Sequence, residues 1–207
     1  MNIDIEIVAR ALDKAGQEPL TPTELEEKTS TRWRLVKDYY LSTILETLSN
    51  TAWTCLKVRK RLVESEQENL SEYSFMYELP ADCAKTVALA TEHEYIVEKN
   101  ILYTNDEDAV LIYITNGYTG EVIEGDDYPL YADLNFDPNL SNCIETKLAA
   151  KMVMKLTGDI NVYSMLLQEA MLMENTAVKA SSAQGRNKAK GNRYWSEVLG
   201  LPDVEGI

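Results

Sequence analysis

The hydrophobic period of this chain changes twice, and that limits its folds more than any other feature. Up to about Asn50 apolar residues recur at helical spacing. From Leu56 to Ile114 they mostly alternate, and after Pro138 the helical spacing returns. Two helical parts therefore flank a β region. With 207 residues the chain suits one domain with a lobe inserted into it. The expected class is mainly α with an inserted small antiparallel β lobe, an α+β arrangement around a helical bundle core. One domain covers 1–185, with helical parts at 1–53 and 137–185 and the β lobe at about 54–136. Residues 186–207 read as an extended, flexible tail.

Local signals fix the elements. Ile3 to Ala15 reads as a helix with Ile7, Val8, Ala11 and Leu12 on one side, closed by Gly16. Thr21 and Glu24 have capping-box spacing for a short turn of helix reaching Lys28. Ser30 or Thr31 caps the next helix, which carries Trp33, Val36, Tyr40, Ile44 and Leu48 in one stripe, widened by Leu35, Tyr39 and Leu45. After Trp53, Leu56, Val58 and Leu62 alternate with Lys57 and Arg59. Tyr73, Phe75 and Tyr77 form a second strand, expected as the antiparallel partner of the first, and Pro80 ends it. Tyr95 to Val97, Ile101 to Tyr103 and Val110 to Ile114 are further strands. Asn105 to Asp108 and Asn116 to Gly120 separate them as turns. Asp137 or Asn139 then caps a helix with Leu140, Ile144, Leu148 and Met152 in line. Gly158 breaks it, and a last helix from about Asn161 to Ala183 completes an αα-hairpin.

Charge is unevenly spread. The net charge is −14. Between Thr91 and Asp127 lie Glu92, Glu94, Glu98, Asp106, Glu107, Asp108, Glu121, Glu124, Asp126 and Asp127, with Lys99 the lone base. Lys57, Arg59, Lys60 and Arg61 form one basic cluster. Lys179, Arg186, Lys188, Lys190 and Arg193 form another. A freely exposed acidic surface repels nucleic acid. Basic segments on an acidic chain suit charge-complementary contact with a partner or between copies. The tail adds Tyr194, Trp195, Val198 and Leu199 beside Arg193, residue types that dominate interface energetics.

Chemistry leaves few traces. Neither GxGxxG nor GxxxxGK[ST] occurs. Cys55, Cys83 and Cys143 are odd in number and lack CxxC spacing, so reduced and mostly buried thiols are expected. His93, the single histidine, sits in a charged strand, Glu92-His93-Glu94, and reads as a surface residue rather than a catalytic base. The acidic turns Asp106-Glu107-Asp108 and Asp126-Asp127 lack EF-hand spacing and read as solvated. No catalytic, cofactor-binding or metal-binding residue stands out, and an enzyme is not expected. No apolar run of about 18 residues offers a membrane span, and the N-terminus lacks a signal-peptide pattern.

An ordered set of short strings carries a resemblance. It begins with Ala11 to Thr21, ALDKAGQEPLT, and continues to a helix ending Thr51-Ala52-Trp53. The basic strand to Leu62 follows, then Tyr73-Ser74-Phe75-Met76-Tyr77 before Leu79-Pro80-Ala81-Asp82-Cys83. Phe136-Asp137-Pro138 leads to Lys147-Leu148-Ala149-Ala150 and Leu156-Thr157-Gly158. In this order the chain, over residues 1 to 185, resembles the head–tail adaptors of short-tailed bacteriophages, of the connector or tail-tubular type. The acidic lobe and the tail depart from that pattern. The resemblance implies a virion protein, made in the host cytoplasm, that forms a ring of twelve copies under the portal. It implies three partners: the portal protein, the next tail or nozzle protein, and other copies of the chain. Genomic DNA passes through the ring without sequence-specific contact. Within that expectation Lys57, Arg59, Lys60 and Arg61 meet acidic surface on a neighbour or the portal. Arg186, Lys188, Lys190, Arg193, Tyr194, Trp195, Val198 and Leu199 dock on the portal or an adjacent subunit. The competing expectations are a cytosolic, non-enzymatic scaffolding module that binds one partner through its tail, and a small enzyme with an acidic metal site.

Overall fold

Asp4 starts the first helix: its carboxylate accepts from the backbone N–H groups of Glu6 and Ile7. The computed structural model describes residues 3–122 and 129–184. Helix α1 (Ile5–Lys14) buries Ile7, Val8, Ala11 and Leu12. The expected start at Ile3 is two residues early because Asp4 is the cap. Gly16 follows in the left-handed region (φ +69°), as the end of a helix wants. Helix α2 (Pro22–Glu27) has the Thr21–Glu24 capping box. Two hydrogen bonds from the Arg32 guanidinium, aided by one from the Thr21 backbone, hold the Glu24 carboxyl down to about 2. Helix α3 (Thr31–Asn50) is capped by Ser30, and Trp33, Val36, Tyr40, Ile44 and Leu48 are all buried.

A short 3-10 turn, Thr54–Leu56, leads into the strands. They are β1 (Lys57–Arg61), β2 (Val63–Glu64), β3 (Phe75–Glu78), β4 (Cys83–Leu89), β5 (Tyr95–Glu98), β6 (Ile101–Thr104), β7 (Val110–Thr115), β8 (Tyr118–Val122) and β9 (Pro129–Tyr131). Among the described residues they form a sheet in the order β1-β7-β4, a second in the order β2-β3-β6-β5, and the pair β8-β9, all antiparallel. Helices α4 (Pro138–Leu156) and α5 (Ile160–Gln184) follow. The class is a mixed α+β fold. Gly158, in the left-handed region (φ +71°), ends the α4 segment after Thr157.

Strand β7 explains the layering. Side chains alternate across a strand. Leu111 and Tyr113 join Leu62, Tyr77, Leu89 and Leu102 in a core between the two large sheets. Ile114 joins Leu56 and the helical side chains in a larger core on the other face, with Ala84 and Val87 of β4 packed against it. The β1-β7-β4 sheet is therefore the middle layer, with helices on one side and the β2-β3-β6-β5 sheet on the other.

Several expectations need correction. The basic strand β1 does not pair with the aromatic strand β3. It pairs with β7, Lys57 opposite Ile114 and Arg61 opposite Val110. The chain changes sheets at Leu62, whose N–H reaches Ala109 O at 2.9 Å, and only Val63 and Glu64 pair with β3. Tyr118 to Gly120 belong to β8, not to a turn. Strand β4 was not anticipated; two irregularities in its register against β7 break its alternation. Cys143 is buried, Cys83 half-buried and Cys55 exposed, so the thiols are not mostly buried.

Candidate assembly interface

The string from Trp53 to Lys85 works as a clamp on the end of α3. The last carbonyls of a helix have no partner within it. Trp53 is buried, and its indole Nε1–H donates to Thr47 O at 2.9 Å. No basic residue lies in the last turn of α3. Lys85, from β4, instead donates to Asn50 O at 2.6 Å, placing a cation where the helix dipole favours one. Asp82 completes the clamp. It accepts from Thr115 Oγ1 at 2.8 Å and from the Tyr113 hydroxyl at 3.1 Å, fixing the Pro80–Asp82 turn to β7. Burial, with the Asp82 charge adding, pushes the Tyr113 hydroxyl well above the usual phenol range.

Pairing with β7 places β1 at the open edge of the middle sheet. All five of its residues are exposed. Arg61 Nη1 reaches Asp108 Oδ1 at 3.1 Å, both side chains being largely in solvent. Lys57, Arg59 and Lys60 have no ion-pair partner among the described residues. Four cations thus stand on one exposed edge strand of a chain with net charge −14.

Apolar residues on the outside of the helical layer gave no warning in the sequence. Helix α5 buries Leu166, Ala170 and Ala177, yet Ile160, Met165, Met171 and Leu172 are each at least 60% exposed. Met154 of α4 is exposed beside them in sequence order. A shallow groove lined by Tyr39, Ser42, Lys151, Met154, Lys155 and Tyr163 runs between α3, α4 and α5.

The polar seam on α4 was also unforeseen. Arg10 Nε meets Glu145 Oε1 at 2.6 Å, and Lys147 Nζ meets Glu174 Oε1 at 2.6 Å. Lys14 Nζ reaches Asn142 Oδ1 at 2.8 Å, Thr146 Oγ1 at 2.7 Å and Glu169 Oε1 at 3.3 Å. Hydrogen bonding and charge from Glu145 push the Arg10 guanidinium up, against a smaller opposing effect of burial. The signal was in the sequence: Glu145, Thr146 and Lys147 fall between Ile144 and Leu148, two members of the helix's core stripe, and burying them takes partners on two sides.

His93 lies in a turn between β4 and β5, not in a strand, although its side chain is 68% exposed. Its Nδ1 contacts Asp106, which also accepts from the Thr91 hydroxyl. Asp106 is buried rather than solvated. Burial opposes its charge, but the hydrogen bonds from His93 and Thr91 outweigh it and hold the carboxyl below its usual range. Both oxygens are thereby used in tying the β4–β5 turn to the β6–β7 turn. Among the described residues no cluster of three or more His, Cys, Asp or Glu side chains is arranged to hold a metal ion, and no helix is long and apolar enough to cross a membrane.

Arg186, Lys188, Lys190, Arg193, Tyr194, Trp195, Val198 and Leu199 lie outside the described residues, as do Glu124, Asp126 and Asp127. The chain matches no protein-family model and no curated protein.

Proposed function

We propose that the chain is a head–tail adaptor of a short-tailed bacteriophage: a structural virion protein whose copies form a ring joining the portal to the next tail protein and extending the DNA channel. The observation that carries this reading is α5. Its exposed Ile160 and Met171 lie on one side, and Met165 and Leu172 on the other, of a buried face of Leu166, Ala170 and Ala177. Apolar residues that spread beyond the buried face of a helix suit packing against two bodies, and one body here is the chain's own α4. The other is a neighbouring copy. In this reading α4 and α5 form the αα-hairpin of a helical bundle, twelve copies stand side by side, and the tail from Arg186 to Leu199 docks on the portal or an adjacent subunit. The ordered strings from Ala11 to Gly158 support the same family.

Net charge bears on the channel. Each copy brings −14, and an acidic lumen lets DNA pass without adhering. Mass spectrometry and asymmetric electron-microscopic reconstruction of purified virions provide the test. The expected result is this chain as a ring directly beneath the portal, with a mostly acidic lumen. Absence from virions, with a monomeric or dimeric protein in the cytosol, overturns the reading in favour of a scaffolding module.

A further inference from the structure

The two large sheets have two long open edges, and their charges are opposite. Strand β1 ends the middle sheet and carries Lys57, Arg59, Lys60 and Arg61. Strand β5 ends the outer sheet and is preceded by Glu94 and closed by Glu98, both exposed. Ile96 and Val97 between them are exposed as well, at 44% and 36%. The remaining edges are less open: β4 packs against α3, and β2 is two residues long. An open edge strand is a template for another strand unless something blocks it. Charge blocks the wrong pairings here. Two β1 strands repel each other, and so do two β5 strands, which leaves β1 against β5.

We infer that copies of this chain join edge to edge, β1 of one copy pairing antiparallel with β5 of the next, Lys57 opposite Glu98 and Arg61 opposite Glu94. The register follows from the side-chain period of two. Lys57, Arg59 and Arg61 share one face of their sheet, being paired with Ile114, Ile112 and Val110 of β7. Glu98 and Ile96 share one face of theirs, being paired with Ile101 and Tyr103 of β6, and Glu94 continues that alternation. Aligning the strands antiparallel puts a cation opposite a carboxylate at both ends of one face. On the other face Val58 meets Val97 and the Lys60 ammonium lies against Tyr95. The parallel alternative sets Lys60 against Val97 and loses the cation–ring contact. The existing Arg61–Asp108 pair is largely solvated, so it yields readily to a partner in a drier joint.

The joint uses different surfaces on the two copies, so repetition closes into a ring or runs on as a filament. It deepens the adaptor reading and rests on it for closure. The test uses full-length protein carrying Cys55→Ser, which removes the exposed native thiol. Val58→Cys and Val97→Cys variants are mixed near millimolar concentration and treated with a short bismaleimide. The expected product is a covalent heterodimer in the mixture, with neither variant cross-linking alone. Lys57→Glu/Arg61→Glu on the first variant should cut the yield about tenfold or more. Adding Glu94→Lys/Glu98→Lys to the second should restore it. No heterodimer, or no rescue by the exchanged charges, overturns the strand pairing even if a ring is seen beneath portals. Heterodimers that grow only into open filaments keep the pairing and count against the adaptor.

Discussion

At the scale of single residues, Cys55 and Cys143 differ in a way chemistry can read. Burial pushes the Cys143 thiol up to about 12 and Cys83 to about 11. The Cys55 thiol is raised too, chiefly by burial of the sulfur near Asp137, but its residue is exposed. The thiolate is the reacting form, so a raised thiol pKa slows alkylation and lost access slows it further. Iodoacetamide at about pH 8 should therefore modify Cys55 first, Cys83 later, and Cys143 only when α4 leaves the core. Peptide mass spectrometry over time gives the order; equal rates at Cys55 and Cys143 would mean that α4 is not packed as described. The exposure of Cys55 was not legible because it sits in a 3-10 turn between two buried residues, Trp53 and Leu56, where neither a helical nor a strand period applies. Trp53, by contrast, was legible as a landmark but not as a donor to Thr47 O, since nothing in the sequence says which carbonyl an indole will reach.

Among elements, α4 carries the helical layer, and its Lys147–Glu174 pair shows how. The two side chains are 10% and 18% exposed. Taking one partner from such a pair strands the other charge away from water. Lys147→Met alone should cost about 3 kcal/mol, whereas Lys147→Met with Glu174→Leu should recover most of the loss. Urea unfolding of the wild type, both single variants and the double variant measures the coupling; additive losses would show that the pair is effectively solvated. The same helix marks the boundary of what sequence can say. Its cap at Asp137 and the stripe Leu140, Ile144, Leu148 and Met152 were legible, because caps and a 3.6-residue period are local properties. The caps Thr21 and Ser30 were legible for that reason as well. Strand partners are not local. Tyr73 to Tyr77 stands next after β1 in sequence, which makes it the expected partner, but β7 comes from far along the chain, and Leu62 hands the strand from one sheet to the other. Strand β4 was missed because Cys83 to Leu89 serves both cores and two register shifts spoil its alternation. In the sequence the cations of β1 and the carboxylates around β5 are a basic cluster and part of an acidic lobe. That both are open edges of different sheets emerges only once the strand order is known.

For the whole molecule, two electrostatic effects of opposite sign bear on the proposed association of copies, and they have different ranges. A chain of net charge −14 repels its copies over tens of ångströms when salt is low. The proposed contacts Lys57–Glu98 and Arg61–Glu94 would act only at the joint, within a few ångströms. The screening length is about 30 Å at 0.01 M salt, about 10 Å at 0.1 M and about 3 Å at 1 M. Raising salt from 0.01 to 0.1 M removes most of the long-range repulsion and leaves contact pairs nearly intact. Raising it towards 1 M weakens the pairs themselves. Self-association measured by sedimentation velocity, or by the Val58→Cys and Val97→Cys cross-link yield, should therefore rise and then fall, with its maximum near 0.1 to 0.2 M salt. A steady rise to 1 M would mean that apolar contact through Met165, Leu172 and their neighbours on α5 suffices without the charged edge strands. A steady fall from the lowest salt would mean that the acidic surfaces never face each other in the assembly. In the variant with Lys57→Glu and Arg61→Glu the falling limb should disappear, because only repulsion is left to screen.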